Sequence, residues 1–104
     1  MIIETKDWAA LKDNTPGAPS FRAYGTVTVA NPGVTAKLEF SPLQDKTTNL
    51  RLNLVLERSD GIHLQVLTEK FVEYKSLGTS QVTGVDIFYE GQLVHHISQV
   101  VTVC

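Results

Sequence analysis

Three histidines, one cysteine and eleven carboxylates are the side chains of this chain that could do chemistry. His95 and His96 are adjacent, in a run (QLVHHISQ) that alternates as a strand. Neighbouring side chains on a strand point to opposite faces, so the two cannot grip one metal ion from a regular strand. Either would need His63 or a carboxylate beside it. Asp86 is the carboxylate best placed by pattern: a three-residue loop at Glu90–Gln92 sets it directly across from His96 on the preceding strand. Such a cross-strand pair is ordinarily a hydrogen bond on a solvated face. Zinc chemistry wants three ligands, and none is spaced to complete the set. A small metal-dependent enzyme using His63, His95 or His96 with Asp86 is therefore the last of three readings of function, and no metal or cofactor is expected.

Nucleophile chemistry has less support. Cys104 is the final residue and is expected to be an inert end rather than a reactive thiol. No serine sits in a G-x-S-x-G elbow, and no glycine-rich loop is built for phosphate. Glu69/Glu73 and Asp86/Glu90 are the paired carboxylates; four apart on a strand, they share a face and are expected to be solvated. No run of loop aspartates suits calcium. A single terminal cysteine excludes an internal disulfide and favours a reducing compartment. The first residues carry acids and no apolar run of signal-peptide length, which leads to the expectation of a soluble cytoplasmic protein. The formal charge is -2 and the nine Lys and Arg are scattered, so neither nucleic-acid phosphates nor an anionic membrane is an expected partner.

Strands must position whatever site there is. Residues 49–74 (NLRLNLVLERSDGIHLQVLTEKFVEY) organise the chain. Leu50, Leu52, Leu54 and Leu56 alternate with Arg51, Asn53, Val55 and Glu57, which gives a strand with one dry face. A three-residue turn at Ser59–Gly61, with Gly61 left-handed, would pair Leu56 with Leu64 and Leu54 with Val66. Residues 21–40 read as a second hairpin about Asn31-Pro32-Gly33, with Val29 facing Ala36, Val27 facing Leu38, and Gly25 leaving room for Phe40. Residues 81–103 read as a third about Glu90-Gly91, with an odd loop. Gly84 inside its first strand signals a bulge or a close backbone approach. Residues 7–13 (DWAALKD) have helical character, with Asp7 as N-cap and with Trp8 and Leu11 plugging one end of the core. Residues 14–20 are a Pro/Gly loop. Residues 41–48 are a polar connection that either crosses between sheets or turns within one.

The expected fold is all-β: a two-layer antiparallel β-sandwich, immunoglobulin-like or a related Greek-key or meander, of six to seven strands with one short N-terminal helix. Residues 1–104 form a single domain, with 1–20 as an N-terminal segment and 21–104 as strands. The pattern is similar in architecture to immunoglobulin-like and fibronectin-like sandwiches. The Cys…Trp…Cys pattern of antibody domains is absent, so their functions do not carry over. The leading reading of function is a non-catalytic protein-binding module that uses loops or edge strands. The second is a structural subunit that self-associates through residues 99–103 or through a spot at Leu67 and Phe71. That spot, flanked by Glu69, Glu73 and Lys75, is the candidate interaction surface, although cover by the N-terminal segment is the commoner fate of such aromatics.

Overall fold

The computed structural model describes residues 2–44, 47–59, 61, 64–78 and 81–103. Eight strands follow one another: β1 (Ile2–Asp13), β2 (Ser20–Val29), β3 (Val34–Phe40), β4 (Asn49–Arg58), β5 (Thr68–Leu77), β6 (Gly84–Tyr89), β7 (Gln92–Ile97) and β8 (Val101–Val103). They form two four-stranded sheets, a first of order β5-β2-β1-β8 and a second of order β3-β4-β6-β7. Both sheets are mixed, because β8 runs parallel to β1 and β6 parallel to β4. The architecture is all-β and sandwich-like. Among the described residues it has eight strands instead of six or seven, and it is not purely antiparallel.

The expected N-terminal helix is absent; residues 7–13 lie in β1, antiparallel to β2. Two turns of helix are marginal without packing. As a strand the segment buries Ala10 against the core and extends the β2 ladder. Asp7 caps nothing. It adopts φ 58° where the register slips between Lys6 and Ala9, a bulge that sets Asp7 and Trp8 against Gly25.

Two of the three expected hairpins do not form. β2 pairs with β1 and β5, and β3 pairs with β4, so Asn31-Pro32-Gly33 carries the chain from one sheet to the other. The turn chemistry is nonetheless present: Gly33 N–H donates to Asn31 Oδ1 and Val34 N–H to Asn31 O. Nor does β4 pair with β5. Its neighbours are β3, antiparallel, and β6, parallel. Leu56, Leu54 and Leu52 face Ala36, Leu38 and Phe40 across β3. Gly61 has φ 115°, in keeping with a left-handed turn residue, while Asp60 lies outside the described residues. β3 and β4 are antiparallel neighbours, so the connection between them stays within the second sheet. The β6–β7 hairpin forms as expected, about Glu90-Gly91.

The core fills the space between the sheets. Phe21, Ala23, Val27, Val29 and Val72 come from the first sheet, and Leu38, Leu52, Leu54, Val85, Ile87 and Ile97 from the second. The strand phases read from alternation therefore hold for β2, β4 and β6. Leu64 and Val66, expected opposite the dry face of β4, are exposed, as are Phe40, Leu93 and Val101. Leu64 and Val66 lose their place because the stretch before β5 is not a strand against β4. β5 is an edge of the first sheet, with Val72 inward and Lys70 donating at the rim to Pro32 O. Its register with β2 runs unbroken.

Candidate functional site

The histidines separate as strand geometry requires. Asp86 lies directly across from His96 in the β6–β7 ladder, and His96 Nδ1 shares a hydrogen bond with Asp86 Oδ1 on the outer face of the second sheet. The route to this juxtaposition differs from the expected three-residue loop. The loop has two residues, Glu90 (φ 51°) and Gly91 (φ 82°), the positive pair of a type I′ turn. A bulge between Ile87 and Phe88 then shifts the register by one and restores the alignment.

His95 points the other way, toward Trp8 of the first sheet, and stays exposed at the rim. Its ring stacks on Trp8, with centroids 5.9 Å apart and planes inclined by 20°. Burial, and then the charge of His96, hold the His95 pKa below the ordinary imidazole value. Trp8 in turn lies on Gly25, where an added Cβ would run into the indole face. The space that Gly25 leaves is thus occupied by Trp8, not by Phe40. Gly84 is the close approach its position suggested: a Cβ there would meet Asn49 Oδ1 at 2.6 Å and Ile97 O at 3.1 Å. Among the described residues no three His, Cys, Asp or Glu side chains come together as a metal site. His63 and Cys104 lie outside the described residues.

The candidate interaction surface sits on the outer face of the first sheet. Leu67 is 63% and Phe71 61% exposed, so the expectation that they are covered is not met. The Phe71 ring lies 5.9 Å from that of Tyr24 on β2, tilted by 34°. Arg22 sits over the Tyr24 ring at 4.7 Å and pairs with Glu73. Lys6 pairs with Glu69 and is held above the ordinary lysine pKa by that partner. The two glutamates therefore belong to ion pairs that bracket the aromatic pair, and their charges are already met. Residues 101–103, the sticky segment, pair with β1 as β8.

A third feature was not read from the sequence. A cleft of about 550 Å3 opens where β6 leaves β4. Ser41, Pro42 and Leu43 form one wall, and Phe88, Tyr89, Glu90 and Gly91 the other. Asn53–Leu56 of β4 form the floor, with the Arg51 guanidinium 5.5 Å from the Phe88 ring centre. Gln44 fixes the first wall, since its side-chain amide donates to Ser41 O and Arg51 O and accepts from Arg51 N–H.

The cleft exposes a strand edge. The β4–β6 ladder ends at Asn53 and Phe88, yet β4 continues to Arg58 against β3. Ser41 N–H donates to Arg51 O and Ser59 N–H to Gly33 O, which sets the β3-facing phase on odd-numbered residues of β4. The N–H and C=O groups of Leu56 and Arg58 therefore point to the other edge. Among the described residues no strand pairs with that edge. The signal in the sequence would have been a length mismatch: β4 is ten residues long and β6 six. Strand order is needed before that mismatch means anything. Compared with family models, with curated proteins and with solved structures, the chain matches none.

Proposed function

We propose that this chain is a non-catalytic protein-binding module that adds an extended segment of a partner to the open edge of β4. One observation carries the reading. Beyond Asn53 the β4 edge is unpaired, and it lies in a cleft of about 550 Å3 walled by Leu43, Pro42 and Phe88. Unpaired backbone groups beside apolar walls are what strand addition uses: the main chain supplies affinity and pockets for alternate side chains supply selectivity. The volume falls in the ordinary range for binding clefts.

The test is direct. Random twelve-residue peptides are displayed against the purified protein, and the tightest binder is remade with backbone N-methyl groups at alternate positions. Strand addition predicts that one alternate set abolishes binding while the other leaves it nearly unchanged. Indifference to both sets, or no binder from the display, contradicts the reading.

A second reading is self-association through the outer face of the first sheet. The exposure of Phe71 beside Tyr24, within charges that are already paired, favours it. Light scattering at rising concentration should show a dimer that Phe71→Ser abolishes. A monomer at every concentration sinks it.

A further inference from the structure

We infer that the segment taken by the β4 edge is an extended peptide carrying a basic side chain at the end that abuts the Glu90-Gly91 turn. This rests on the strand-addition reading above and adds the charge of the partner. Two charged groups line the cleft, Arg51 and Glu90. Arg51 lies over the Phe88 ring and faces Asp86 in the β4–β6 register. Glu90 is exposed at the mouth, in the turn that closes one end of the open edge, and has no ion-pair partner among the described residues. Arg58 closes the other end of the edge, also exposed and also without an ion-pair partner among the described residues. The remaining charges of β3 and β4 on the outer face form one cluster, in which Lys37 bridges Glu39 at 3.2 Å and Glu57 at 3.0 Å and one negative charge is left in excess.

The edge is therefore polarised, negative at the turn and positive at the far end. The ends lie roughly 17 Å apart, the rise of five strand residues. Between them Leu54, Val55, Leu56 and Tyr89 offer apolar contact. An incoming strand with a lysine or arginine beside Glu90 meets attraction there and avoids repulsion from Arg58. An acidic residue in the same place meets the reverse. Charges at such a rim select partners and register more than they add affinity.

The probes are two capped peptides of alternating valine and threonine, one ending in a single lysine and the other in a single glutamate. Because a strand can enter in either direction, a glutamate end could settle beside Arg58, so the comparison is made in Arg58→Gln, where Glu90 is the charge left at an end of the edge. That protein should bind the lysine peptide about three- to tenfold more tightly at low salt, the range for a partly exposed pair with repulsion added for the glutamate peptide. In the same background Glu90→Lys should reverse the preference, and Glu90→Gln should largely erase it. Lysine is no more strained than glutamate at this left-handed position, so the variant should fold. Equal affinity for both peptides, with binding still abolished by alternate N-methylation, overturns the charge assignment and leaves strand addition standing. Failure of both peptides and of the displayed binders to respond to N-methylation overturns both.

Discussion

Trp8, Gly25 and His95 form one stacked unit: an indole lies on a glycine of β2 and against an imidazole of β7. Gly25→Ala pushes a methyl into the indole, and overpacking of this kind costs about 1–3 kcal/mol. Chemical denaturation of that variant should show the loss, and pairing it with Trp8→Leu should recover part of it. His95 also links stability to pH. Its folded-state pKa is lowered, chiefly by burial, so the unfolded chain takes up a proton first as pH falls. Stability should then drop as pH descends from about 6.5, the ordinary histidine value, to the lower folded-state value, and this part of the dependence should vanish in His95→Gln. A slope that persists unchanged in the variant would assign it to other groups. Leu54, 3% exposed, sits in the dry phase of β4, and Leu54→Ala should cost ~2–5 kcal/mol. A loss below about half a kcal/mol, the range of a surface change, would mean that the strand phase is wrong.

Alternation reads the phase of a strand but not its partner. Leu52, Leu54 and Leu56 match Leu64 and Val66 on paper as well as they match Phe40, Leu38 and Ala36 in the fold. Any apolar stripe in even register satisfies any other, so a local hairpin is the natural first reading and here an incorrect one. The β6–β7 hairpin was legible because its turn residues and both stripes agreed. The Asp86–His96 pairing was legible with it, though by a bulge and a two-residue turn rather than a longer loop. The helix failed because four good helix formers, Ala9, Ala10, Leu11 and Lys12, count for less than a long β2 ladder beside them. Two outcomes test the element picture. Leu64, 76% exposed, should tolerate Leu64→Ser within about 0.5 kcal/mol, whereas a hairpin partner of β4 would not. Glu90→Asn should stabilise the fold by up to roughly 1 kcal/mol, since asparagine accepts the left-handed position of a type I′ turn that glutamate occupies at φ 51°. A loss of stability in that variant would contradict the turn assignment.

At the scale of the whole molecule, the two sheets are unequal in how far their strands run together. The β6–β7 hairpin stops where β4 does not, and the cleft is the consequence. No residue type announces this site. Leu43, Asn53, Val55, Phe88 and Glu90 come from separate strands and loops, and they converge through a parallel pairing that sequence alternation cannot reveal. The surface at Leu67 and Phe71 was legible because its residues are close in sequence, Phe71 on β5 and Leu67 in the stretch that leads into it. Its exposure follows from β5 being a sheet edge with nothing among the described residues laid over it. The central claim is that β4 has one paired and one open edge, and residue-resolved amide hydrogen exchange on the free protein measures this without any ligand. The N–H groups of Val55 and Glu57, which face β3, should exchange slowly, while those of Leu56 and Arg58 exchange fast and become protected when a strand-forming peptide is added. Equal protection of all four amides in the free protein would contradict an open edge and the binding role built on it.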